Sequence, residues 1–84
     1  MKALQNYVKQ ANDWNAIFNR GQYDLANEGD RQRLARRIDN ELSPENLTMD
    51  GELSRAEVNR RYNNLIRVAE QLQTLDPTIQ FWEV

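Results

Sequence analysis

Apolar residues recur with a helical period in three stretches of the chain, and turn formers separate them. From Lys2 to about Arg20, the positions Leu4, Tyr7, Val8, Ala11, Trp14 and Phe18 fall on one face at 100° per residue. Ile17 widens that stripe, while Lys2, Gln5, Lys9, Asp13 and Arg20 face the other way. Gly21 stands where a helix C-terminus is expected. Tyr23 and Leu25 lie among the turn formers Asp24, Asn27 and Gly29, which predicts a short connection packed down onto the core.

A second helix is expected from about Asp30 to Leu42, with Leu34, Ala35, Ile38 and Leu42 as its buried stripe. Ser43-Pro44 ends it, because a residue before proline is pushed out of the helical region. The stretch 44–53 then reads as a loop centred on Asp50-Gly51. Ser54 and Glu57 make a capping box, so the third helix is expected from Arg55 to about Leu75, where Asp76-Pro77 stops it. Its stripe is Val58, Tyr62, Leu65, Ile66, Ala69 and Leu72.

The tail carries Ile79, Phe81, Trp82 and Val84 and reads either as an extended strap across the helices or as a last helical turn, the strap being preferred. Phe81 and Trp82 are expected to fold over the gap between the first and third helices, or else to anchor a partner. Trp14 and Phe18 are assigned to the core. The whole is an all-α fold, a small three-helix bundle over 1–84 with a C-terminal aromatic strap or short extended tail.

Composition narrows the chemistry. There is no His and no Cys among the 84 residues, so thiol chemistry and His-based acid–base catalysis or metal ligation are outside this chain's own means. The two serines, Ser43 and Ser54, sit at helix ends, and the acid pairs Asp39/Glu41 and Glu52/Glu57 fall in exposed contexts, so no enzyme is expected. No apolar run is long enough to cross a bilayer, and MKALQNYVKQ lacks the apolar stretch of a secretory signal; a cytoplasmic protein without a membrane partner is expected.

The outward faces carry more information. Thirteen acids against eleven Lys+Arg leave a net charge of −2, yet nine of the eleven cations are Arg. Arg33, Arg36, Arg37 and Asn40 lie opposite the buried stripe of the second helix; Arg60, Asn63, Asn64, Arg67 and Gln71 lie opposite that of the third. Guanidinium and amide groups suit planar hydrogen bonding to carboxylate, phosphate or backbone. Asn63-Asn64 in mid-helix is costly in helix propensity, which favours a contact surface over a merely solvated face.

A negative net charge argues against phosphate as the main ligand, and the roughly eleven-residue connection before the third helix is too long for a helix-turn-helix. The expected function is therefore a non-catalytic protein-interaction module, a small regulator, adaptor or inhibitor docking through these faces and Trp82. A nucleic-acid-binding helical domain using the same arginines is the alternative, and a homodimer is compatible with either.

Residues 46–57, NLTMDGELSRAE, resemble the calcium loop of the EF-hand family. The resemblance implies calcium as a cofactor, with Asn46, Thr48, Asp50, Glu52 through its carbonyl, Ser54 and Glu57 as ligands and Gly51 at the sharp turn. Asn46 and Thr48 stand where the family usually carries carboxylates, and Pro44-Glu45 interrupt the entering helix. The same residues also read as a plain turn followed by a helix cap, with no cofactor.

Overall fold

The structure is a computed structural model that describes residues 1–83; Val84, the last apolar position of the tail, lies outside the described residues. Four helices form among the described residues, three of them long: α1 (Lys2–Ile17), α2 (Glu28–Leu42), α3 (Pro44–Leu47) and α4 (Arg55–Leu75). There is no strand among the described residues. None of the helices is long and apolar enough to cross a membrane.

Local chemistry sets most of the boundaries. The capping box at Ser54 forms as the sequence implies: the Ser54 hydroxyl accepts from the Glu57 N–H, and the Glu57 carboxylate accepts from the Ser54 N–H. α2 starts two residues before the expected Asp30. The Asn27 side chain accepts from the Asp30 N–H at 2.9 Å, and Glu28 and Asp30 then favour the positive end of the helix dipole.

α1 ends at Ile17 rather than near Arg20. Asn19 takes a left-handed φ of 54°, and the Arg20 N–H closes on the Asn15 carbonyl at 2.7 Å. Asn tolerates that conformation, so the helix closes two residues before Gly21. The expected loop 44–53 contains α3, with Pro44 in its first turn. Three consecutive left-handed residues follow, Met49, Asp50 and Gly51, with φ of 50°, 57° and 85°.

Leu34, Ile38, Val68 and Leu72 are fully buried and bring α2 against α4. The ion pair Arg31–Asp76 and the pair Arg61–Glu41 join the two helices at opposite ends, which makes them antiparallel. α1 packs on α4 as well, and Leu4 is its deepest residue. The α4 stripe is rotated from the expected one: Val68 is buried, whereas Tyr62 is exposed. Two helices share α4, so its buried sector must turn to serve both.

Residues 76–83 contain no helix. Ile79 is buried in the core, and Gln73 on α4 donates to its carbonyl at 3.2 Å. Trp82 and Glu83 donate their backbone N–H groups to the Asp39 carboxylate on α2. The tail thus lies against α2 and α4, away from the expected gap beside α1. Positions two apart on a helix point roughly 200° apart. Gln71 and Glu41 reach α1, while Gln73 and Asp39 reach the tail, so α1 and the tail occupy opposite faces of the α2–α4 layer.

Candidate functional site

The arginine and amide positions divide into engaged and open groups. Arg33 pairs with Asp30 at 2.6 Å and lies 5.1 Å from the Tyr23 ring centre; Arg37 lies 6.0 Å from the same ring. Both therefore help hold the 20–25 connection on α2. The same pairing lowers the Asp30 pKa, first through the Arg33 hydrogen bond and then through the Asp24 N–H. Gln71, expected to face a partner, instead accepts from the Leu4 N–H at 2.8 Å and supplies the cap that Met1 does not. The rotation of the α4 stripe puts it there. Asn40 keeps an exposed side chain, and its carbonyl accepts from Asn46.

Arg36, Arg60, Asn63, Asn64 and Arg67 are exposed and make no side-chain hydrogen bond or ion pair among the described residues. They do not form one surface. α2 and α4 turn their buried stripes toward each other, so Arg36 on one and the Arg60–Asn63–Asn64–Arg67 row on the other point to opposite edges. Trp82 belongs to the α2 side: its backbone is tied to Asp39, one helical turn after Arg36, and its side chain is 91% exposed.

The EF-hand-like residues do not converge. Glu57 and Ser54 are spent on their reciprocal cap, and that bonding lowers the Glu57 pKa. Thr48 donates to the Pro44 carbonyl, and the Asn46 amide donates to Asn40. Asp50 and Glu52 line a polar cleft of about 420 Å³ with Glu41, Glu45 and Arg61. No group of three acids placed to hold a metal occurs among the described residues.

Glu41 in the wall of that cleft also accepts from the Tyr7 hydroxyl, linking α1 to α2. Burial, then this bond, pushes the Tyr7 pKa far above its ordinary value. Arg61 lies 3.8 Å from the other Glu41 oxygen, and its buried Nε has no hydrogen-bond partner among the described residues. These groups join α1, α2 and α4.

Trp14, Ile17 and Phe18, assigned to the core or its margin from the sequence, are instead exposed at 52%, 73% and 51%. The stripe of α1 is real, but its last turns pass beyond the surface that α4 offers. Asn15 is buried in the middle of that stripe and donates to the Gly21 carbonyl; Asn12 makes two bonds to the Tyr23 backbone. A loop backbone, with its polar groups, covers this part of the helix. An amide in the centre of an apolar stripe was the sequence signal that the core ends there.

No family model, curated protein or solved structure matches the chain.

Proposed function

We propose that this small three-helix bundle, strapped by its tail, is a non-catalytic protein-interaction module, a regulator, adaptor or inhibitor that docks a protein partner through Trp82 and the outer face of α2. The observation that carries the reading is the state of Trp82. Its backbone is fixed by the Asp39 carboxylate while the indole stands almost wholly in solvent.

A tryptophan whose backbone is already tied down adds little backbone ordering to the cost of binding, and Trp and Arg are among the residues most often found to dominate interface energies. Arg36, open and one turn before Asp39, supplies a planar donor set beside it. The net charge of −2 argues against nucleic acid as the partner, because phosphate neutralisation supplies most of that affinity.

The test is capture of bound material from cells of the source organism, with half of each sample treated with nuclease. Retention of a protein after nuclease, and its loss with Trp82→Ala plus Arg36→Glu, is the expected result. Capture that vanishes with nuclease moves the arginines to phosphate and ends the reading.

A further inference from the structure

The overhanging end of α1 exposes apolar side chains that continue the sequence stripe past the core. Trp14, Ile17 and Phe18 stand at i, i+3 and i+4 and form a continuous ridge over the last turns of the helix. The Trp14 and Phe18 rings pack on each other at 4.9 Å with planes tilted by 59°, so the ridge is ordered by its own contacts. Gln10, Asp13 and Ala16 around it are exposed too, which leaves much of the helix circumference open.

We infer that this ridge seats in an apolar groove rimmed by carboxylates on a partner protein, the helix-in-groove mode of recognition. The inference rests on the protein-interaction reading above and adds a site to it. Two observations choose the occupant.

The first is area. With about 200 Å² for each large side chain, two half-exposed residues and the largely exposed Ile17 offer roughly 350 Å². That is less than half of the ~800 Å² per partner that a stable interface takes, so two copies packed ridge to ridge fall short. A groove wrapping the helix also recruits the flanks at Gln10, Asp13 and Ala16 and narrows the difference, which a contact confined to the two ridges does not. The second is charge. Lys9 and Asp13 neutralise each other at 3.4 Å, whereas the Arg20 guanidinium sits 5.5 Å from the Phe18 ring centre with no carboxylate partner among the described residues. The ridge therefore ends on an uncompensated cation, and the complementary rim is acidic. α1 and the tail lie on opposite faces of the α2–α4 layer, so the ridge and Trp82 face different neighbours.

The experiment places a photo-crosslinking amino acid, p-benzoylphenylalanine, at position 17 of the full chain in cells of the source organism. A second chain carries the same probe at position 36. Circular dichroism melts matching the unsubstituted chain establish that both fold. The expected result is a position-17 adduct whose crosslinked peptide lies in an apolar cleft bordered by Asp or Glu. Arg20→Glu should lower the yield by about two- to fivefold, and Arg20→Lys should keep most of it.

Adducts only to a second copy, to lipid or to nucleic acid overturn the inference, as does a crosslinked surface without carboxylates. A position-36 adduct with none from position 17 removes the ridge and leaves the functional reading standing. Absence of protein adducts from both positions removes both.

Discussion

Gln71 and Gln73, two positions apart on α4, send their amides to opposite faces of the molecule: Gln71 accepts from the Leu4 N–H that opens α1, and Gln73 donates to the Ile79 carbonyl of the tail. One helix thereby secures both ends of the chain. α1 has no side-chain cap of its own at Met1, so its start depends on a residue 67 positions away.

Gln71→Ala should therefore act as the loss of a helix cap, destabilising the fold by about 1 kcal/mol in urea titrations. Gln73→Ala should act locally, speeding hydrogen exchange in the tail with less change in global stability. Equal global effects from the two would contradict this division.

Core and overhang should separate cleanly. Leu65→Ala is expected to cost about 2–5 kcal/mol, as a truncation at a buried position between helices. On the overhang, Ile17→Ala should stay within about 0.5 kcal/mol, and Trp14→Ala should cost no more than about 1.5 kcal/mol, the worth of its contact with Phe18. Thermal melts of the three variants decide it.

The two arginine edges give a functional contrast. Arg60→Glu with Arg67→Glu alters only the α4 edge; Trp82→Ala with Arg36→Glu alters the α2 edge. Both pairs should fold normally, and only the second should abolish capture of the partner by the otherwise unchanged chain. Loss confined to the first pair would transfer the docking surface to α4.

Stability should fall at both extremes of pH and stay level between them. Hydrogen bonds hold the Asp76 carboxyl below its ordinary range, first from Thr78 and then from Arg31; Asp30 and Glu57 are lowered too. A depressed folded-state pKa gives stability above the unfolded value, near 4, that is lost as pH falls through the folded one. Tyr7 is raised, so its contribution is complete below about pH 10 and is lost on further rise. With no His or Cys, no side-chain type of ordinary pKa between about 5 and 8 is present to tilt the plateau. Asp76→Asn should flatten the acid limb of a plot of urea midpoint against pH.

The 46–57 segment makes a further expectation. With Glu57, Thr48 and Asn46 committed to local hydrogen bonds, millimolar calcium should leave the amide resonances of Gly51 and Glu57 unmoved. Specific shifts at these two would instead show that calcium displaces the cap.

Signals that act within a few residues were legible in the sequence. The Ser54–Glu57 box, the stop at Ser43-Pro44 and the α2 stripe at Leu34, Ala35, Ile38 and Leu42 all rest on local chemistry or on one periodic face. What periodicity cannot report is where a helix runs out of partner. Trp14 and Phe18 keep perfect register with Leu4 and Ala11, yet nothing stands opposite them, and only Asn15 marks the change. Likewise, an outward position on the helical wheel did not keep Gln71 outward, because α4 serves two neighbours rather than one. The two Arg/Asn faces read alike in sequence, but they diverge because α2 and α4 turn their buried stripes toward each other, a pairing that no single helix encodes.

Both tryptophans stand outside the core, Trp14 half-exposed on its ridge and Trp82 almost bare on the tail. Trp82 is thus solvated before the core melts and remains so afterwards, and Trp14 has only half of its surface left to expose, which makes emission a weak report of unfolding. A partner that covers either one removes its water, so the same emission should shift to the blue and become shielded from a soluble quencher. The protein carries two built-in optical probes, one on each face, tuned to docking rather than to folding.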